Sequence, residues 1–364
     1  MKHSVYLFIL MLMLGCKNNN YDDVYIDLKS IINTEKSINL SALADSISYI
    51  QLETSDDCLL PENIAIIHMD STDVFVVDNK CIYRFSSNGT FKNRIGRIGG
   101  GPEEYPQLLF TIVDPVNKLI FILTHNNVLF FYNYDGHFIK KIKLQGEIKS
   151  IDILNNNEIV CTSCDYENGF SAYLLSCDYD GNLLNKYLLE KDDHSYQRTM
   201  HTSSISYSFH HALRIKSPHN DTIFQYNNNG ISKHKVLSLG KYSPTRELVE
   251  DVNRKHELYA NYVQILAITE SDNYLFLLAF KNNIRGIIVE KANHNIVFNK
   301  EIENPKKGGG IHNDVDGLAT FWPMMYCYKN AVARIVHPSY IYEKSNDENP
   351  LIQIVYLKNI QKID

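Results

Sequence analysis

Aromatic and β-branched residues in this chain come in short runs, separated by Asn-Gly or Asp-Gly pairs at a nearly constant interval. Asn88-Gly89 follows Ile82-Tyr83-Arg84-Phe85, and Asp135-Gly136 follows Leu129-Phe130-Phe131-Tyr132. Asp180-Gly181 follows Tyr173-Leu174-Leu175, and Asn229-Gly230 follows Ile223-Phe224-Gln225-Tyr226. Such pairs between apolar runs are the strongest short hairpin signal. The four glycines lie 47, 45 and 49 residues apart, close to the roughly 40–50 residues of a four-stranded propeller blade. A fifth turn fits Asn293-His294-Asn295, between Ile287-Ile288-Val289 and Ile296-Val297-Phe298. A sixth fits Asp347-Glu348-Asn349, between Tyr340-Ile341-Tyr342 and a strand from Leu351 to Tyr356. The pattern predicts an all-β, six-bladed β-propeller.

The interval from the fourth turn to the fifth is longer, at 65 residues from Gly230 to Asn295. Its excess holds Ser243-Pro244-Thr245-Arg246 and the residues on to Tyr259, where Ser243 can cap, Pro244 suits a first helical turn, and Leu248, Val252 and Tyr259 share one face. The spacing predicts one helix inserted on a rim. The last blade runs out at Lys358, so a strand from the N-terminal side, Ile47 to Leu52, is expected to complete it and leave no open edge. The stretch Arg94 to Pro106, with Gly96, Gly99, Gly100 and Gly101, reads as the connection from the first blade to the second. Its clustered glycines allow φ > 0, and Pro102 and Pro106 stiffen the exit.

Composition sharpens this reading. Twenty-four Tyr and sixteen Phe against one Trp favour strands, because aromatic side chains suit a pleated, half-buried surface. The net charge is −6, and Lys and Arg are scattered, which argues against a nucleic-acid partner. Residues 1–15 read as a signal peptide: a basic start, an apolar run from Val5 to Leu14 too short to span a bilayer, and a small residue before Cys16. Met13-Leu14-Gly15-Cys16 resembles a lipobox, with Cys16 acylated and inserted in a lipid bilayer, and an Asn-rich tether following. The expected division is 1–15 signal, 16–38 tether and lead-in, and 39–364 propeller. Cys161-Thr162-Ser163-Cys164 is the one CxxC, and its flanks read as a strand and a turn, so structural or free thiols are expected there.

Several constellations invite chemistry. Arg97 can bind an anionic group beside exposed N–H donors, or pair with a nearby Glu. Glu103 and Glu104 are neighbours in an extended segment and point to opposite faces, so they read as rim charges and not as an acid–base pair. Asn313, Asp314 and Asp316, with His312 beside them, are the densest set of oxygen ligands. Calcium held by Asp314 and Asp316 is one reading, and a turn whose Asn and Asp bond their own backbone is the other. Trp322 would stack on a sugar or peptide if exposed, and would anchor two blades if buried. The histidines from His194 to His201, with His210 and His211, lack metal-site spacing. Tyr207 to His211 alternates as a strand that sends the adjacent imidazoles to opposite faces.

The chain resembles the six-bladed β-propeller lipoproteins of gut-type Gram-negative bacteria, whose blades are similar to NHL repeats. The marks are Ser48-Tyr49-Ile50-Gln51-Leu52-Glu53-Thr54, then Gly99 to Tyr105 leading to Pro106. Asn313-Asp314-Val315-Asp316-Gly317 with Phe321-Trp322-Pro323 follow, and last Asn349-Pro350-Leu351-Ile352. Where that pattern has glycine this chain has Glu103, so the backbone there is expected to avoid φ > 0. The resemblance implies a fold and an exported, outer-membrane address, and carries no activity. The reading is a non-enzymatic binding module, with a glycan, peptide or envelope protein held by Arg97, Glu104, Tyr105, His312, Asn313, Asp314, Asp316 and Trp322. The alternative is a metal-dependent hydrolase or lyase in the central channel.

Overall fold

The computed structural model describes residues 24–154, 157–165, 170–192, 205–210, 212–217, 220–305, 309–326, 330–341 and 348–359. Two strands from the N-terminal side, β1 (Tyr25–Asp27) and β2 (Ala44–Gln51), precede the blades. Blade 1 is β3 (Ala65–Met69), β4 (Asp73–Val77), β5 (Ile82–Ser86) and β6 (Phe91–Ile95). Blade 2 is β7 (Phe110–Asp114), β8 (Leu119–Leu123), β9 (Val128–Asn133) and β10 (Phe138–Lys143). Blade 3 is β11 (Glu147–Leu154), β12 (Glu158–Asp165), β13 (Phe170–Cys177) and β14 (Leu183–Asp192). Blade 4 is β15 (Ile205–Phe209), β16 (Ala212–Lys216), β17 (Thr222–Asn227) and β18 (Gly230–Ser238). Two short helices follow, α1 (Arg246–Glu250) and α2 (Lys255–Asn261). Blade 5 is β19 (Gln264–Glu270), β20 (Tyr274–Lys281), β21 (Asn283–Glu290) and β22 (Ile296–Glu301). Blade 6 holds β23 (Met325–Tyr326), β24 (Ala331–Val336) and β25 (Leu351–Leu357), with β2 as its outer strand.

The first strands of successive blades touch in order, and β24 returns to β3, so the six sheets close a ring. Burial follows position within a blade. Middle strands such as β8, β9 and β16 are covered on both faces and are buried along almost their whole length. Outer strands such as β10, Phe-Ile-Lys-Lys-Ile-Lys, keep the two-residue alternation of a half-solvated strand. Each fully buried Ile, Leu or Phe contributes about 1.5–3 kcal/mol.

Five expected turns join the third and fourth strands of blades 1 to 5, with φ of 91°, 85°, 87° and 88° at Gly89, Gly136, Gly181 and Gly230, and 60° at His294. The sixth does not. In blade 6 the segment before β25 joins the second strand to the third, because the fourth is β2, paired antiparallel from Ala44↔Leu357 to Gln51↔Leu351. The expected strand through Tyr340 is replaced by a 3-10 turn, Pro338–Tyr340; Tyr342 and Asp347 lie outside the described residues.

The lead-in takes part in the ring. β1 adds in parallel to β18, and Ile26, Leu28 and Ile31 are buried against blades 4 and 5. Asn299 of β22 then donates from Nδ2 to Ile31 O and Thr34 O at 2.9 and 2.6 Å. The segment from Val24 to Gln51 thus crosses the outer edges of blades 4, 5 and 6. The inserted helix arrives as two pieces, and its cap is Thr245, whose hydroxyl accepts from Leu248 N. Ser243 donates instead to Asp221 Oδ1. Leu248, Val249 and Leu258 form the buried face, while Tyr259 is exposed. No described helix is long and apolar enough to cross a membrane.

Candidate functional site

Antiparallel order places the connections between blades, and those between second and third strands, on one face of the ring. The Asn-Gly and Asp-Gly turns occupy the opposite face. On the connection face, the segment from Gly96 to Leu109 leads from β6 to β7. Its glycines work differently from the expectation: Gly96 has φ of +60°, whereas Gly99, Gly100 and Gly101 are outside the left-handed region, as is Glu103. Gly99 gives Glu104 its place: a Cβ there would lie 1.8 Å from Glu104 Oε2 and displace that carboxylate. Glu104 turns back under the loop, accepts from Gly101 N at 2.9 Å and pairs with Arg97 Nε at 2.5 Å. The Gly101 N–H, with the Arg97 charge, holds its carboxyl below the usual range. Of the three residues on this loop expected to meet a ligand, Arg97 alone is well exposed, at 80% of its side chain.

Tyr105 is a correction. It is fully buried, and its hydroxyl donates to Lys80 O at 3.0 Å. That bond fastens the glycine loop to the Asp78–Cys81 turn, where Asp78 Oδ1 accepts from Lys80 N and Cys81 N and Oδ2 from Tyr83 OH. Between this turn and Leu59-Leu60-Pro61-Glu62-Asn63 lies a cleft of about 440 Å³. Leu59 and Ile98 are 63% and 43% exposed. No motif marks these residues, because the cleft forms only when the segment before β3 meets the turn after β4.

The second expected constellation is also a correction. Asp314 accepts from Ser41 N at 2.9 Å and Ser41 Oγ at 2.6 Å, holding the lead-in. Asp316 accepts from Tyr49 OH at 3.0 Å, Leu318 N at 2.9 Å and Asn313 Nδ2 at 2.5 Å. Asn313 is buried and also donates to Ala319 O, and His312 O accepts from Leu40 N. The two carboxylates therefore serve different partners. Among the described residues no three His, Cys, Asp or Glu side chains converge as a metal site. Trp322 is 2% exposed, wedged against Phe276 and Phe298 and over Gly286, so its ring is closed to sugars and peptides. These residues and Arg97 belong to different connections.

Three of the four marks that carried the resemblance, Ser48 to Thr54, Asn313 to Gly317 and Asn349 to Ile352, meet at the ring closure. Gln353 Nε2 donates to Tyr49 OH at 3.0 Å and Ala319 O at 3.3 Å, and Asn349 binds the segment after β2. A buried titratable cluster lies between blades 4 and 5, where sequence spacing gave no signal. Glu270 Oε1 is 2.7 Å from Lys291 Nζ and 3.3 Å from His234 Nε2, while Oε2 accepts from Tyr207 OH at 3.1 Å. Burial alone would raise the Glu270 carboxyl, but His234 and Lys291 hold it at about 2. Its side chain is fully enclosed, so it joins blades and meets no substrate. His210 is a turn residue with φ of 46°, 2.6 Å from Asp272 Oδ1, and not part of a strand. Cys161 and Cys164 lie on β12, outside any disulfide. Cys16, His194 to His201 and His211 lie outside the described residues.

Similarity to known proteins agrees with this geometry. A candidate exported protein from Bacteroides fragilis superposes with a TM-score of 0.71 at 16% identity, over 92% of this chain and 99% of that one. A DUF4221 family member from Bacteroides vulgatus superposes with a TM-score of 0.52 at 11% identity, over 87% and 97%. At these identities the likeness is one of fold. No curated protein matches the sequence. The family model described as a domain of unknown function, DUF4934, matches residues 24–364, and the chain belongs to that family.

Proposed function

We propose that this protein is an exported, membrane-tethered binding module, not an enzyme, and that it takes a peptide segment of another envelope protein on its connection face. The observation that carries the reading is the cleft between Leu59–Asn63 and Asp78–Lys80, bordered by the loop that presents Arg97. Its size falls within the range of ligand pockets, about 300–1,000 Å³. Apolar Leu59, Leu60 and Pro61 line it together with Glu62, Asn63, Asp78, Asn79, Lys80 and Tyr83, a mixture that suits backbone amides and side chains of a peptide. A glycan fits less well, because sugar recognition favours an exposed aromatic face. Tyr83, Tyr105 and Trp322 are buried.

Export and tethering rest on the N-terminal pattern ending at Cys16 and on the structural likeness to a candidate exported protein. Peptide-display selection with the purified protein, run beside a glycan array, tests the function. Selected peptides should lose at least about tenfold in affinity for a Lys80→Glu/Arg97→Glu variant, the order of one lost charge-assisted contact. Peptides that ignore this double change, or binding confined to glycans, would overturn the reading.

A further inference from the structure

Blades 2 and 3 differ in length. The strands of blade 2 have five or six residues, and those of blade 3 have eight to ten. The shorter blade covers only part of its neighbour, and a cavity of about 360 Å³ remains against β12, β13 and β14. Register fixes its floor. Cys161 lies opposite Leu175 and Ser163 opposite Tyr173, and across the next pair Leu175 faces Lys186 and Cys177 faces Leu183. One row therefore reads Cys161, Leu175, Lys186, and the next begins Ser163, Tyr173.

Two polar groups in this lining can serve a ligand, Ser163 and Lys186. Ser163 is 3% exposed and lines the cavity. Lys186 has no acidic partner among them, and its Nζ rests 4.0 Å from the centroid of the Tyr173 ring, which brings the ammonium toward the row of Ser163. Asp165, the other charged residue of the lining, has a partner of its own. The remaining floor is apolar: burial pushes the Cys161 thiol up to about 12 and Cys177 to about 11, so both stay neutral and polarizable.

We propose that this cavity binds a small organic carboxylate, with its apolar body on Leu175 and the Cys161 and Cys177 thiols and its carboxylate accepting from Lys186 Nζ and Ser163 Oγ. The Ser163 hydroxyl, in the wall of the cavity, offers a donor to such a ligand. An unpaired ammonium beside it selects the anion over its neutral analogue. The site is separate from the peptide cleft and stands whether or not that cleft binds.

Calorimetric titration with phenylacetate and hexanoate, each against its primary amide, tests this. The carboxylates should bind saturably in the millimolar range or tighter, and at least about tenfold more tightly than the amides. Lys186→Met, at an exposed side chain, should erase that preference, and Leu175→Trp should abolish binding of both by filling the floor. Thermal melting checks that each variant is folded; if Leu175→Trp is not, the loss of preference in Lys186→Met decides. Absence of saturable binding at millimolar probe, an unchanged preference in Lys186→Met, or full binding by a folded Leu175→Trp would each overturn the assignment.

Discussion

Replacing Asn349 with Ala should loosen the ring where it closes. Asn349 is 1% exposed and immediately precedes Pro350 and β25. Its Oδ1 accepts from Leu60 N at 2.8 Å, and its Nδ2 donates to Glu53 O at 2.6 Å and to Cys58 O. One side chain thus holds the connection from β2 to β3, which joins blade 6 to blade 1. Alanine removes all three bonds, at a net cost of about 1 kcal/mol each, and leaves buried backbone groups without partners, so a loss of about 3–5 kcal/mol is expected. Asn349→Asp retains the acceptor for Leu60 but loses both donors, and should fall at least about 2 kcal/mol below wild type. Urea unfolding followed by tyrosine fluorescence measures both. A loss below about 1 kcal/mol for Asn349→Ala, with an unchanged m-value, would refute the role of this side chain as the staple.

Gly286→Ala places a Cβ 2.4 Å from Trp322 Cζ3, so the ring must shift, at about 1–3 kcal/mol. Because Trp322 is the one tryptophan, its emission should move with the loss of stability; unchanged emission and stability would contradict the packing. Asp73 sits beside Arg84 and Lys92, each at 2.7 Å. Burial alone would raise its carboxyl, but these hydrogen bonds bring it from 3.8 to about 2. A lowered folded-state pKa contributes stability that is present above the unfolded value and lost as pH falls through the folded one. The contribution is about 2 kcal/mol, disappearing between about pH 5 and pH 2. Denaturant titrations across that window should show a shallower decline for Asp73→Asn than for wild type, and parallel curves would count against the pairing.

Four Asn-Gly and Asp-Gly pairs, with the Asn293-His294-Asn295 turn, made five blades legible, because a turn with φ > 0 narrows the choice of residue at its tip. The sixth was counted from Asp347-Glu348-Asn349, which in sequence precedes a third strand and not a fourth, since the fourth, β2, comes from the other end of the chain. The three residues of β1 carry no periodicity, so their addition to blade 4 was not legible. Site residues fared less well, because exposure is decided by neighbours remote in sequence. Trp322 is buried because Gly286 leaves room above it, and Tyr105 because Lys80 O waits beneath the glycine loop. The cavity beside Ser163 follows from unequal strand lengths in two blades, which no single motif encodes.

The most direct test of the peptide-binding reading is a crystal structure of the protein with a peptide taken from display selection. The peptide should lie in the cleft between Leu59–Asn63 and Asp78–Lys80, with Arg97 at its border. A peptide bound on the opposite face, among the Asn-Gly and Asp-Gly turns, would contradict that reading.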